Sequence, residues 1–539
     1  MSHTSPHLRR YVLYRHAVPS SARSPSGPEP RHTATSTPPV EEVHVHPPAP
    51  PQVYTWDGRT WAEAEVVLEA PEEGLDYQVL QVVAPEPLER APLQSVQAIV
   101  QERIDLSHDC SMWPDDLLTT PVPAPEEGDP APEEGDPAPE EGDPAPEEGD
   151  PAPEEGDPAP GRLPPTPARY RWSLPIVPSP GRVEALRPFG EQYIFWRTGL
   201  VAARERGVRW QGEGVTVFVL DTFPYFDGRL DADGSLLDLF VNFVADESVR
   251  PSPVPPDAPE LECPFVERPR RSRQPKDDPD RLAFADVLPY HGLLVASLIR
   301  HIAPKARIVG VRVINNHGAT FTSDLVRAVS WVLSRPRANG APVSAGQAIF
   351  NLSLSLRRTQ KETVESCAMF YAVDTAAQRG HWFVCAAGND SDGRPENPVE
   401  PAAYGYYADS PATARRVIPV AGAHKPTAYA RFSNEGVVAA PSTGVIMDPG
   451  PSRFKEDVLR GGYVRWHGTS FATPQVTGLL ALLLSRRRPP ADPKQHIWER
   501  AHPPRRWNGV REICFSRALA GVSCDAFVRR PIRRAPQMR

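Results

Sequence analysis

An α/β fold, a parallel sheet with helices on both faces, is predicted for the stretch from about residue 195 to 485. Three observations lead there. Short apolar runs alternate with helix-length segments along the stretch. Several of the runs are apolar almost without interruption, as strands covered on both faces are. The prolines are concentrated elsewhere: 36 of the 67 lie in the first 190 residues.

Each element reads in turn. "GVTVFVLD" (214–221) is a strand that ends in an aspartate, and "HGLLVASLIRHI" (291–302) a helix. "ARIVGVRVI" (306–314) is a buried strand, and "TSDLVRAVSWVLS" (322–334) a helix that Thr322 or Ser323 can cap. "AIFNLSLSL" (348–356) is a strand, and "CAMFYAVDTAAQRG" (367–380) a helix closed by Gly380. "HWFVCAAGN" (381–389) and "RVIPVAGA" (416–423) are further strands, and "VTGLLALLL" (476–484) the apolar part of a last long helix. Ligand crevices in such sheets open at the carboxyl ends of the strands, where Asp221 and Asn389 stand.

Outside this domain (191–486) the chain divides into three parts. Residues 1–110 form a small N-terminal region, read as a propeptide-like or partner-binding unit. "VYTWDGRTW" (53–61) gives it a hairpin with Asp57-Gly58 at the turn, and "APLQSVQAIVQERI" (91–104) a helix. Residues 111–190 are a Pro-rich acidic linker, an expected partly disordered extension, and 487–539 an Arg/Pro-rich tail. The linker holds five copies of PAPEEGD (123–157), each carrying −3. They account for −15 of a net −9, so the remainder of the chain is +6. Proline and like charge make the repeats a stiff, extended spacer.

Composition excludes several classes. The arginines of "ERPRRSR" (267–273) and of the C-terminus are not interleaved with aromatics, so no nucleic-acid partner is expected. No run approaches the ~18 apolar residues of a membrane span, and the start lacks a signal-peptide apolar core. A cytoplasmic location is expected. Six cysteines show no metal-ligand spacing; Cys514 and Cys524 are candidates to pair, which sequence does not decide.

Four stretches supply chemistry. Asp221 ends a strand, His291 opens a helix in "PYHGLLVAS", Asn389 ends a strand in "VCAAGND", and Ser470 opens a helix in "HGTSFATPQVTG". A serine hydroxyl becomes a nucleophile when a histidine takes its proton. A buried aspartate fixes the histidine tautomer and stabilises the imidazolium. The oxyanion that forms needs preformed donors, which the Asn389 amide and the Ser470 N–H can supply. Gly468 permits a close turn before Ser470. Pro474 is expected in the first turn of the helix, where no N–H is needed.

Over roughly 195–485 the chain resembles the subtilisin-like serine proteases, the subtilases. "GTSFATPQVTG" (468–478) is similar to their Gly-Thr-Ser-x-Ala-x-Pro-x-Val-x-Gly signature at every fixed position. "VFVLDT", "HGLLVAS" and "AAGND" resemble the aspartate, histidine and oxyanion motifs, and "IAPKARIVGVRV" (302–313) and "ARFSNEGVVAAP" (430–441) two supporting stretches. The resemblance implies a subtilisin-like three-layer αβα fold with seven parallel strands. It also implies endopeptidase activity on protein or peptide substrates, no required organic cofactor, and often bound calcium, for which no ligand is assignable here. It assigns Asp221, His291 and Ser470 to a triad, Asn389 to the oxyanion hole, and Ser353, Leu354, Ser355 and Gly388 to substrate binding.

The sequence departs from the pattern at three places. Phe223 stands where a glycine usually follows the aspartate motif. Leu294 replaces a second histidine, and Ser353-Leu354-Ser355-Leu356 replaces Ser-Leu-Gly-Gly. Side chains at former glycines crowd a peptide site. They motivate an alternative, a catalytically weak member that binds peptides or a partner. Many subtilases carry an inhibitory propeptide, so the N-terminal region is a candidate inhibitory segment in cis. Stretches 158–190 and 268–273 are the expected processing sites, and an insertion at about 246–286 is expected as a loop by the cleft.

Overall fold

The computed structural model describes residues 51–67, 192–244, 284–339, 347–354, 368–389, 397–425, 428–502 and 511–522, together with 7–15, 42–46, 76–84, 110–114, 117–119, 247–248, 265–267, 341–343 and 391. The expected helix at 91–104, the repeats at 123–157, both expected processing stretches and Ser355 lie outside these residues.

The predicted α/β architecture is present. Labelled in chain order, the strands are β1 (Gln52–Trp56), β2 (Trp61–Glu63), β3 (Thr216–Thr222), β4 (Leu239–Asn242), β5 (Arg307–Ile314), β6 (Ala348–Leu352), β7 (Trp382–Ala386), β8 (Val417–Lys425), β9 (Val438–Pro441) and β10 (Arg511–Glu512). The helices are α1 (His291–Ile302), α2 (Thr322–Leu333), α3 (Ala368–Gln378) and α4 (Thr469–Leu484). In space the strands run β10-β9-β8-β7-β6-β3-β5-β4-β1-β2. All pairings from β4 to β10 are parallel, and the β1–β2 hairpin closes one edge antiparallel. From β3 the chain passes to β4, comes back to insert β5 between β4 and β3, and then crosses to β6 on the other flank of β3. The order therefore switches between β3 and β6, and a crevice opens at their carboxyl ends.

Side-chain alternation explains the layers. Val217 and Val219 of β3 join a core with α1 and α4, whereas Phe218 and Leu220 join a second core with α2 and α3. Every residue of β3, β6 and β7 is buried, which is why these strands read as unbroken apolar runs. α4 has all but its last residue buried, and it packs centrally behind the site.

The hairpin expected at 53–61 forms, with Gly58 at φ +98° and Asp57 Oδ1 accepting from Arg59 N (2.7 Å) and Thr60 N (2.8 Å). Its first strand pairs with β4, Tyr54 opposite Phe240. Four further strands make an antiparallel sheet in the order Glu42–His46, Asp76–Ala84, His7–Arg15, Cys110–Pro114. Beyond α4, helices Pro493–Arg500 and Phe515–Ala520 put Ile497 and Phe515 into the first core. A buried ion pair, Arg197 to both carboxylate oxygens of Glu512 at 2.7 Å, ties helix Tyr193–Arg197 to β10. Cys514 is disulfide-bonded and Cys385 is a buried free thiol. Among the described residues no helix is long and apolar enough to cross a membrane.

Two histidines make structural contacts. His381 Nδ1 accepts from Ala348 N (3.0 Å) at the start of β6, and His301 stacks on Phe195 at 4.4 Å. Burial, aided by nearby arginines, pushes His301, His381 and His467 down to about 4. Each is neutral when folded and takes up a proton on unfolding anywhere between that value and the ordinary 6.5. Their contribution is fully present above pH 6.5 and is lost as pH falls toward 4. Tm measured from pH 7 to 4 is expected to fall, with a net uptake of up to about three protons on unfolding near pH 5. A flat profile across that window contradicts the neutral burial of these rings.

Candidate active site

Asp221 is the penultimate residue of β3, with its side chain fully buried. Its Oδ1 accepts from Thr222 N at 2.7 Å and lies 2.7 Å from His291 Nδ1. Thr222 is itself fixed, its Oγ1 donating to Leu288 O at 2.7 Å. Leu288 belongs to the short 3-10 turn that leads into α1, so one threonine locks the aspartate strand to the histidine helix. The imidazole of His291 is walled by Trp466, edge-on at 5.7 Å, and by Phe471 at 5.2 Å. Phe471 is the neighbour of Ser470, which brings the three predicted groups to one end of the sheet.

Ser470 is the second residue of α4, and Gly468 precedes the helix at φ +146°, a backbone angle that disfavours a side chain. The Ser470 hydroxyl donates to Ser353 O at 3.4 Å and is not hydrogen-bonded to His291. Pro474 lies deeper than the sequence suggests. In α4 its missing N–H would have served the carbonyl of Ser470, four residues back. Ser353 Oγ donates to that carbonyl at 3.0 Å instead. Ser353 in turn accepts from Asn351 Nδ2 (3.2 Å), and Asn351 Oδ1 accepts from Thr477 Oγ1 (2.8 Å). Ser470 and Thr477 share a helix face seven residues apart, so this buried chain pins α4 to β6 at two levels. Asn351 and Thr477 were not singled out from sequence. A buried asparagine inside an otherwise apolar strand is the signal that points to them.

Asn389 Oδ1 accepts from Thr469 N and from Thr469 Oγ1, both at 2.9 Å. The first-turn amide of Thr469 thus orients the Asn389 side chain, and Thr469 is a further positioning residue. First-turn N–H groups have no intrahelical acceptor, which leaves the Ser470 N–H available as a donor. Gly388 holds φ +111°, and a β-carbon there would meet Asn434 Nδ2 at 2.7 Å. Leu354 is fully buried in the core beside α2 and α3, so its side chain faces away from the crevice.

Phe223 does not crowd the crevice. It is fully buried, and its ring lies where β-carbons on Gly292 and Gly310 would approach within 3.0 Å. The glycine lost after the aspartate motif is compensated by these two. The insertion strand Phe265–Glu267 pairs antiparallel with Tyr463–Arg465, in the strand that leads into Ser470. On the other flank, Leu117–Thr119 pairs antiparallel with Ala319–Phe321, which follows β5 at the same end of the sheet as Asp221. Among the described residues, no group of three or more His, Cys, Asp or Glu side chains is placed to hold a metal.

The family model described as the subtilase family matches residues 212–514. Subtilisin-like protease 9 of Arthroderma otae is 32% identical over 185 residues, covering 34% of this chain and 38% of that protein. Subtilisin-like protease 1 of Trichophyton rubrum is 28% identical over 218 residues, covering 40% and 37%. The chain therefore spans little more than a third of the length of these curated relatives. A solved cold adapted subtilisin-like serine proteinase is 23% identical, with TM-score 0.36, covering 57% of this chain and 90% of that one.

Proposed function

The chain belongs to the subtilase family, and from that premise we propose that it is a serine endopeptidase acting through an acyl-enzyme. The observation that carries this reading is the 2.7 Å contact of Asp221 with His291 Nδ1, at the crevice where Ser470 opens α4. The Ser470 hydroxyl turns from Ser353 O toward His291 Nε2, gives up its proton there, and attacks the scissile carbonyl carbon. Asn389 and the Ser470 N–H stabilise the oxyanion. Its collapse breaks the C–N bond, and the amine leaves with the proton from His291. Water, deprotonated by the same imidazole, hydrolyses the ester and returns the proton to Ser470. The reading requires no organic cofactor.

The segment Leu117–Thr119 is proposed to lie in cis along Ala319–Phe321, which follows β5 at the carboxyl end of the sheet, and to hinder substrate entry from that flank. Its antiparallel pairing with Ala319–Phe321 supports this. The disulfide at Cys514 favours an oxidising compartment over the cytoplasmic expectation.

A fluorophosphonate probe tests the reading. Wild type is expected to label slowly, and Ser470→Ala not at all. Consecutive strand N–H groups point to opposite sides, so Leu117→Pro with Leu118→Pro removes at least one donor toward Ala319–Phe321. That double variant is expected to label faster. A folded double variant that resists the probe favours peptide binding without hydrolysis, although the burial of Phe223 removes one reason for that alternative.

A further inference from the structure

We infer that the hairpin β1–β2 is a permanent part of the catalytic sheet, so that the N-terminal region stays bound as a subunit after the linker is cut. The inference rests on the proposed peptidase only for the agent that cuts.

β1 does more than lie near the domain. It extends the main sheet by strand addition, with Gln52, Val53 and Tyr54 opposite Asn242, Val241 and Phe240. Its side chains alternate into both cores. Val53, at 1% exposure, and Ala64 belong to the core with α2 and α3. Tyr54 and Trp61 pack against the core with α1 and α4. The aromatic rings of Tyr54 and Trp61 lie 5.7 and 6.4 Å from that of Phe240.

Polar groups are matched across the same seam. Tyr54 OH and Tyr225 OH are 2.6 Å apart, Trp61 Nε1 donates to Ala232 O (2.8 Å), and Asn242 Nδ2 donates to Gln52 Oε1 (3.2 Å). Trp56 covers Gly234, where a β-carbon would come within 2.2 Å of the indole. The chain continues into Val66–Val67, which pairs with Arg337–Ala338. None of these contacts depends on the covalent link through residues 120–191. Loss of the hairpin would bare the edge of β4 and the ring of Phe240 to water, which is unfavourable on both counts.

The test uses the full chain carrying Ser470→Ala, with a site for an unrelated protease inserted in the PAPEEGD repeats. After cutting, the two fragments are expected to co-elute in size exclusion at micromolar concentration. Adding Leu117→Pro and Leu118→Pro should leave them together, whereas Tyr54→Ala with Trp61→Ala should separate them. Separation of the unsubstituted fragments overturns the inference. So does separation by the proline pair, or persistent co-elution of the Tyr54/Trp61 variant. If that variant fails to fold uncut, hydrogen exchange on the cut, unsubstituted protein decides. Amides of β1 and β4 keep their protection if the hairpin stays, and lose it if it leaves. Because activity is absent throughout, failure here is separate from failure of the peptidase reading, which the probe addresses.

Discussion

Asp221→Asn is expected to lower kcat on the order of 10⁴-fold, with KM and Tm close to wild type. All three hydrogen-bond contacts of the aspartate go to one oxygen: Thr222 N and Thr222 Oγ1 donate to Oδ1 (2.7 and 3.3 Å), and His291 Nδ1 lies 2.7 Å from it. An asparagine can place its carbonyl there and keep them. Its NH₂ takes the position of Oδ2, which has no hydrogen-bond partner in the structure. The substitution therefore separates geometry from charge. What it removes is the carboxylate that stabilises the imidazolium formed when Ser470 is deprotonated, a state that exists only along the reaction. A loss confined to kcat supports that role. A loss expressed as a large fall in Tm, with residual activity near wild type per folded molecule, would mean that Asp221 acts as a strand-end anchor.

The strands and helices of the central domain were legible because their causes are local. Unbroken apolar runs such as "VTVFVL" and "IFNL" can only be satisfied between two layers, and the polar residues that end them mark the carboxyl edge. The four candidate residues stand in short motifs whose flanking glycines have local reasons, as Gly468 and Gly388 do at φ +146° and +111°. Pairing partners were not. Nothing in the period of residues 52–56 says that their edge fits β4, nor that 117–119 meets 319–321, because strand pairing is set by sequence-distant surfaces. Pro474 was placed one turn too early, since the first helical residue is decided by the Thr469–Asn389 bonds and not by propensity. Phe223 was read as crowding the crevice because the two glycines that receive its ring are 69 and 87 positions further on.

Gly292→Ala shows how those distant fits carry the chemistry, and it is expected to abolish measurable turnover. The added β-carbon would stand 2.1 Å from Thr222 O and 3.0 Å from both the Asp221 β-carbon and the Phe223 ring. The first of these is backbone and cannot rotate aside. The remaining relief is movement of the start of α1 away from β3, which stretches the His291–Asp221 contact and the Thr222–Leu288 bond together. Overpacking of this kind costs about 1–3 kcal/mol, and more where backbone is hit. Shaving the aromatic neighbour with Phe223→Ala cannot restore activity, because the carbonyl clash remains. A cavity where the ring was would add its own cost of roughly 3–5 kcal/mol. The check is the probe rate and Tm of Gly292→Ala beside those of Gly310→Ala. Gly310 meets side chains only, Leu237 at 2.8 Å and Phe223 at 3.0 Å. It should therefore lose stability while keeping far more of its activity. Equal activity in the two variants would mean that the fit of α1 against β3 does not govern the position of His291.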